Sequence, residues 1–389
     1  MADLPPNFTL LQVVPELETG GAEQTTVDIA RAVVRAGGRC LVATAGGRME
    51  AALAEAGGEL VVLPMAAKAP ATLALNARRL ARLIRAERVS LVHARSRAPA
   101  FSALPAARRT GVPIVATYHG IYNARTPLKR WWNGVMTRGD LIIANSEYTR
   151  EHVIREHGVA PGCVVAIPRG VDLSRFDPDK VSHERVAALC KAWGAEPGDT
   201  RPSILLAGRL TRWKGQGLLI DALQRLAADG GPDFRVFLAG DDQGRKAYRA
   251  QLEHTITTGG LSDTVSIVGH TDDMPAAYLV ADLAAAPSLE PEAFGRTAVE
   301  PQAMGRPVLA ADHGGARETV VQSETGWRVK PGDVEAWAQM LGLAVQAGPQ
   351  RWAEMGAKGR ERVRRLYSVE AMCDATLEVY ARVLREKRA

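Results

Sequence analysis

Two glutamates, Glu292 and Glu300, stand eight positions apart around a Phe-Gly pair in the stretch SLEPEAFGRTAVEPQAMGRPV, residues 288–308. Ionised carboxylates are strong hydrogen-bond acceptors and suit hydroxyl-rich partners. Gly295 lets the chain turn into a helix, and the free N–H groups of a helix start favour an anion such as phosphate. Glu292, before that turn, can reach sugar hydroxyls beside the phosphate. Glu300, inside the helix, can accept from a ribose diol. A plain helix with acids near its positive end would look the same, so the stretch alone leaves both readings open. A second group, Gly208-Arg209-Leu210-Thr211-Arg212-Trp213-Lys214-Gly215, carries two cations that could grip a diphosphate from two sides. Arg209 supplies a planar fork and Lys214 a point charge. A third, Thr19-Gly20-Gly21-Ala22, offers glycines for close backbone approach at another helix start. Its spacing is not G-x-G-x-x-G and no acid closes the second strand, which disfavours NAD.

These groups need elements to position them. Short apolar runs, read as buried strands, fall at residues 8–14, 39–43, 60–63, 89–92, 114–117, 141–144 and 164–167. Between most of them lie stretches with apolar spacing near 3.6, beginning with 23–36. That alternation marks a doubly wound α/β domain with a parallel sheet. The rhythm breaks over 168–200, where Pro, Gly and polar residues read as a linker region, and resumes with strands at 203–207, 235–239, 265–268, 283–286 and 308–310. Residues 349–389 read as helices without strands. The fold class is therefore α/β, with two Rossmann-like domains facing each other across a cleft. In open α/β sheets ligands bind beyond the carboxyl ends of the strands, where all three glycine-containing loops fall.

A chain of 389 residues exceeds one ordinary core, which agrees with two domains. With 46% apolar and 24% charged residues it reads as globular, and no apolar run approaches the roughly 20 residues needed to cross a bilayer. The start, MADLPPNFTLLQVVP, lacks the pattern of a secretory leader. Cys40, Cys163, Cys190 and Cys373 are scattered without metal-ligand spacing, which fits a reducing compartment. A cytoplasmic protein is expected. Asp241-Asp242 and Asp272-Asp273 read as turn residues, with no Asp-x-Asp placed to carry a metal, so metal independence is expected.

The net charge of +6 is unevenly spread: residues 1–175 hold 22 Lys and Arg against 14 acids, and residues 68–109 hold ten against one, Glu87. That concentration suggests an anionic partner: phospholipid, nucleic acid or a phosphorylated substrate. No nucleic-acid-binding module is recognisable and aromatics are few, which argues against nucleic acid. Residues 72–87 form an amphipathic helix with Leu73, Ala77, Leu80 and Ile84 on one face and Arg78, Arg82 and Arg85 on the other. Lys129-Arg130-Trp131-Trp132 adds basic residues beside paired tryptophans, a combination suited to a lipid headgroup interface. A solvated face is the common meaning of such a pattern. The functional reading is peripheral attachment to the inner leaflet of the membrane and a lipid-linked, anionic acceptor.

Glu292-Ala-Phe-Gly-x4-Glu300, followed by Ala303-Met304-Gly305-x-Pro307-Val308, resembles the retaining glycosyltransferases of family 4, whose architecture is called GT-B. The resemblance covers nearly the whole chain. Thr19-Gly20-Gly21, Thr117-Tyr118-His119-Gly120, Asn145-Ser146, Arg169-Gly170-Val171-Asp172 with Phe176, Gly208-Arg209…Lys214-Gly215 and Gly314-Gly315…Glu318 follow in the family's order. The resemblance implies an acceptor-binding domain at 1–175, a linker region at 176–200, a nucleotide-sugar-binding domain at 201–365 and a C-terminal helix at 366–389 that could cross back to the first domain. It implies a nucleotide-diphosphate sugar as co-substrate and no other cofactor. Gly20 and Gly21 would approach the donor. Arg209 and Lys214 would bind its diphosphate and neutralise the leaving group, Glu292 would position the transferred sugar, and Phe294-Gly295 would present backbone N–H groups. Glu300 would hold the ribose, and His119 would contact the sugar and help organise the reaction centre. Pro301 departs from the family's pattern, since a proline past the first turn removes a helix hydrogen bond and bends the axis. The expected activity is transfer of a hexose to a lipid-linked or envelope glycan of the lipopolysaccharide type. A sugar-nucleotide epimerase of the same shape is the nearest enzymatic alternative. A nucleic-acid-binding protein and a catalytically dead sugar-binding module stand further off.

Overall fold

The computed structural model describes residues 4–18, 20–122, 124–195 and 198–388. The chain forms two compact units, Met1–Gly170 with Val369–Ala389 and Val171–Ser368. Each is a parallel sheet with helices between successive strands, so the chain is a two-domain α/β protein.

The first unit holds β1 (Thr9–Val13), β2 (Arg39–Thr44), β3 (Glu59–Val62), β4 (Leu91–Ala94), β5 (Ile114–Tyr118), β6 (Leu141–Ala144) and β7 (Val164–Ala166), in the order β3-β2-β1-β4-β5-β6-β7. All neighbouring pairs are parallel. Every residue of β1 is buried, as expected of a strand covered on both faces. Buried Gln12 donates its side-chain N–H to the Thr26 carbonyl at 2.9 Å. The order inverts between β1 and β4, the kind of switch point beside which ligands bind. The helix Val369–Arg388 completes this unit: Leu377, Tyr380 and Val383 join the core around Phe8, and the Phe8 and Tyr380 rings lie 6.2 Å apart.

The second unit holds β8 (Ser203–Ala207), β9 (Arg235–Ala239), β10 (Val265–Gly269), β11 (Leu283–Ala286), β12 (Val308–Ala311) and β13 (Gly326–Val329), in the order β10-β9-β8-β11-β12-β13. Its switch point lies between β8 and β11. The loops after these two strands carry Arg209, Lys214 and Glu292.

Beyond shifts of one residue at several strand ends, sequence and structure differ at three places. The run 89–92 is displaced from β4, because Arg88, at φ +50°, turns the chain out of the preceding helix and Val89 still bonds back to Ile84. The edge strand β13, Gly-Trp-Arg-Val, lacked an apolar run because two of its four positions are only half-buried. Residues 176–200, read as a linker region, belong to the second unit as far as they are described. Phe176 and Trp193 are buried in its core, and Arg185 on the helix His183–Ala192 donates to both carboxylate oxygens of Asp273 at 2.8 and 2.6 Å.

Candidate functional site

The loop after β8 is shaped by backbone-to-backbone packing. A short turn, Arg212–Lys214, ends at Gly215 with φ +80°, where a Cβ would overlap the Pro287 carbonyl. Leu289 N–H donates to the Trp213 carbonyl at 2.7 Å, binding this loop to the one after β11. That contact brings the Lys214 ammonium to 2.8 Å from Glu292 Oε1, with the two side chains 11% and 17% exposed. The Ser288 hydroxyl donates to the same oxygen at 2.6 Å, and the ammonium lies 4.5 Å above the Trp213 ring. His313 Nε2 donates to the Ser288 carbonyl at 2.8 Å, which puts the proton on that nitrogen. Burial, first of all, holds the His313 pKa below the usual imidazole value.

Glycines on the loop after β12 seat the Glu292 backbone. A Cβ at Gly314 would lie 2.5 Å from the Glu292 carbonyl oxygen, and one at Gly315 would lie 2.6 Å from Phe294 Cα. Gly315 N–H donates to the Glu292 carbonyl at 2.8 Å. Phe294 is buried and meets Tyr367 edge-on at 5.7 Å, so its part toward any ligand falls to its backbone. Gly295, at φ +82°, starts the helix Arg296–Ala303 with no side chain capping it. Ser288, Glu292, Gly295, Thr297, Ala298 and His313 line a small recess beside this first turn.

Glu300 points into the second unit. Arg296 donates from Nε to Oε1 at 2.9 Å, and the Tyr278 hydroxyl donates to Oε2 at 3.3 Å. Burial raises the Glu300 pKa, against the opposing pull of Arg296. The helix runs through Pro301 and ends two residues later. The missing proline N–H therefore removes one bond from an element already finishing. Arg209 is exposed; its Nη1 reaches Gln243 at 3.5 Å, and its carbonyl accepts from Gln216 Nε2 at 3.0 Å. Direct contact thus joins Lys214 and Glu292, whereas Arg209 engages the loop after β9. Asp241 and Asp242 accept from the backbone N–H groups of Gln243 and Gly244, both at 2.8 Å, and Asp273 caps a helix at Ala276. Asp241 and Asp242 serve their own turn, and Asp273 combines its cap with the Arg185 ion pair.

In the first unit His119 follows β5 and is half-buried. Arg169 Nη2 lies 3.3 Å from its Nδ1, and Asn145 Nδ2 donates to its carbonyl at 2.8 Å. Burial, then Arg169 and Arg95, hold its pKa well below the usual value, so the ring is neutral with its proton on the buried Nε2. Gly20 is the extended N-cap of the helix Gly21–Arg35, and the Glu23 carboxylate packs against it, placing an acid at that helix mouth. Thr19 lies outside the described residues. Arg78, Arg82 and Arg85 lie on the exposed face of the helix Pro70–Ala86, opposite buried Ala77, Leu80 and Ile84. Arg130 is tied to Glu156 at 2.8 Å and Lys129 is exposed. Trp131 is 51% exposed, and Trp132 stacks on Phe101 at 4.3 Å. Among the described residues no helix is long and apolar enough to cross a membrane.

Several participants escaped the sequence reading. Arg296 could have been found as the i,i+4 partner of Glu300. Ser288, Tyr278 and His313 carry no local signal, because only folding brings them to the two glutamates.

Comparisons with known proteins bear on the family and the fold. The family profile "Glycosyltransferase Family 4" matches residues 19–175, and "Glycosyl transferases group 1" matches residues 193–362. The chain is 32% identical over 298 residues to the D-inositol 3-phosphate glycosyltransferase of Xylanimonas cellulosilytica, across 73% of this chain and 70% of that one. It is also 32% identical over 304 residues to the GDP-mannose-dependent alpha-(1-6)-phosphatidylinositol monomannoside mannosyltransferase of Mycolicibacterium smegmatis, across 73% and 74%. A solved glycosyltransferase structure from Rickettsia africae superposes with a TM-score of 0.88 at 29% identity, across 97% of this chain and 99% of that one. The architecture is that of the GT-B glycosyltransferases.

Proposed function

The chain belongs to the family 4 glycosyltransferases, and on that premise we propose that it moves a hexose from a nucleotide-diphosphate sugar to a phosphate-bearing acceptor held at a membrane surface. The observation that carries the reading is the Lys214–Glu292 ion pair beside the uncapped first turn at Gly295. Transfer from a nucleotide sugar builds positive charge on the sugar while negative charge gathers on the departing diphosphate. The Lys214 ammonium and the helix-start N–H groups are fixed donors for that negative charge, and fixed donors need no reorganisation as the reaction proceeds. When Lys214 turns to the diphosphate, Glu292 is released to accept from the sugar hydroxyls, with Ser288 and Gly315 holding it in place. Arg209 adds a second cation from an exposed position.

Glu300 keeps the ribose in this reading, through the lone pairs that Arg296 and Tyr278 leave open. His119 keeps the place beside the sugar that the family resemblance implies, and Gly20 and Gly21 keep theirs as donor-binding glycines. The transfer proceeds with retention, by attack on the face the leaving group departs from. It needs no metal: lysine, arginine and the helix start supply the positive charge, while Asp241 and Asp242 cap their own turn and Asp273 is paired with Arg185.

The relatives named above support a nucleotide-sugar donor and a phosphorylated polyol acceptor over a lipopolysaccharide core. Peripheral binding at the cytoplasmic membrane face is supported by the arginines of the helix Pro70–Ala86 and by exposed Leu128 and Trp131. The test combines thermal shifts with UDP, GDP and their hexose conjugates with a transfer assay on the same conjugates. A matching donor raises the melting temperature, since it binds only the folded chain. Lys214→Ala and Glu292→Ala should each remove most transfer. Full transfer by either variant would sink the role given to that residue, and donor turnover unaffected by every added acceptor would favour the epimerase.

A further inference from the structure

The second unit carries a recess at the end of its sheet away from the donor loops. Ser203 and Arg235, which line it, open β8 and β9, whereas Arg209 and Lys214 come after the end of β8. Strands rising about 3.3 Å per residue separate the two ends. The other wall is the helix His183–Ala192. A helix laid on a parallel sheet normally buries an apolar stripe, yet no residue of this one is fully buried. The space left beside it has a volume of about 790 Å³, inside the range of roughly 300–1,000 Å³ usual for small-molecule sites.

Its lining divides into an apolar part and a cationic part. Phe237 of β9 and Val280 stand with Ala187, Cys190 and Ala195 on the apolar side, and the Trp193 ring braces Phe237 at 5.3 Å. On the charged side three cations, Lys191, Arg201 and Arg235, meet one acid, Asp199. Arg201 engages that acid fully: Nη2 and Nε donate to the carboxylate at 2.8 and 3.0 Å, and so does its backbone N–H at 3.0 Å. Arg235 reaches the same carboxylate with Nη1 alone, at 3.4 Å. Its guanidinium lies 5.3 Å over the Phe237 ring and its side chain is 13% exposed. A cation so far desolvated and so weakly paired gains from a second oxyanion on its fork. Seating on an aromatic ring keeps that fork pre-aimed, which lowers the entropy lost on gripping one. Lys191 is exposed and supplies a mobile point charge.

We propose that this recess binds a small amphipathic anion, a phosphate or carboxylate head on a compact apolar tail, with Arg235 and Lys191 on the head and Phe237 and Val280 against the tail. A neutral apolar ligand would leave Arg235 as weakly paired as it is, and a bare inorganic ion would leave the apolar side uncovered. At the strand starts such a ligand touches neither Lys214 nor Glu292, and it binds whether or not the chain transfers sugar.

The test is calorimetry on the whole chain with octyl phosphate, octanoate, 1-octanol and inorganic phosphate as probes. One of the two octyl anions should bind at least about tenfold more tightly than 1-octanol and than inorganic phosphate, and the tighter of the two identifies the head. Lys191→Gln/Arg235→Gln should bring both anions to the level of 1-octanol, and Lys191→Gln alone, at an exposed position, should fall between. Ala187→Trp should fill the recess and weaken the anions and 1-octanol by a similar factor. Melting followed by circular dichroism reports the fold of each variant. Cys190 reports the place. In a Cys163→Ser chain the exposed thiol is gone, and Cys40 and Cys373 are buried. There the tighter octyl anion, at about ten times its Kd, should slow alkylation of Cys190 by N-ethylmaleimide about tenfold, as mass action requires of a ligand that covers the thiol. No binding of any probe, 1-octanol or inorganic phosphate as tight as the octyl anions, wild-type affinity in the folded double variant, or unslowed alkylation of Cys190 would each overturn the proposal.

Discussion

The Lys214–Glu292 contact can be measured without substrate. Removing one member of a buried ion pair costs about 3–5 kcal/mol, because the other charge is left desolvated. Here the side chains keep 11% and 17% of their exposure, and Ser288 still donates to Glu292 once the lysine is gone. Lys214→Met, which keeps the stem and loses the ammonium, should therefore cost about 2–3 kcal/mol. Glu292→Gln leaves the ammonium over the Trp213 ring and able to lean toward solvent, so about 1–2 kcal/mol is expected. The double variant has no stranded charge, and its cost should fall short of the sum of the two by about 1.5–3 kcal/mol. Urea unfolding followed by circular dichroism reads all three. In thermal scans Lys214→Met should lower the Tm by about 4–12 °C for a unit of this size. Additive costs, agreeing within about 0.5 kcal/mol, would show that the two groups do not interact, and the diphosphate pocket built on them would lose its basis.

The glycine platform under Glu292 gives a second expectation. Gly315→Ala should cost about 3 kcal/mol and abolish most transfer, because its Cβ meets Phe294 backbone at 2.6 and 2.7 Å, while Gly295→Ala, with open space around it and only φ +82° to oppose it, should cost about 1 kcal/mol. Thermal unfolding and a transfer assay separate the two. Stability should also fall in mild acid. His93 is buried and His119 half-buried, both with folded pKa values below their unfolded value of 6.5, so the unfolded chain binds more protons below that pH. Their contribution is complete above about pH 6.5 and is lost as the pH falls, by up to about 1.4 kcal/mol per pH unit for each ring. His119→Asn should flatten that slope, and an unchanged slope in urea titrations down to about pH 5 would contradict the neutral assignment. Finally, Arg78→Gln/Arg82→Gln/Arg85→Gln should reduce sedimentation with anionic vesicles roughly a hundredfold at low salt, at about 1 kcal/mol per lost cation. Unchanged sedimentation would remove the helix from the membrane surface.

Much of the fold was legible because parallel strands buried on both faces leave continuous apolar runs. The strands at 141–144, 203–207, 235–239 and 283–286 match the structure residue for residue. The parts that were not legible obey longer-range rules. β13 gains its partner from β12 rather than from its own composition, and residues 176–200 hide two aromatic anchors, Phe176 and Trp193, among linker-like residues. The helix Val369–Arg388 gives no local sign of where it docks. Its Tyr380 hydroxyl donates to His93 Nδ1 at 2.6 Å across 287 positions, which leaves the His93 Nε2 proton for Thr117 at 2.7 Å.

From the residue string alone came the strand-and-helix alternation, the glycines at turns and the kinds of charged group available, since these depend on spacing and on backbone freedom. The pairing of Lys214 with Glu292 rather than with another acid was decided by tertiary structure, as was the turning of Glu300 toward Arg296 and Tyr278. So were the neutrality of His119 and the placing of Arg235 against Asp199 and Phe237. Each of these depends on distance and desolvation, and both come into being only when loops far apart in the chain close on one another.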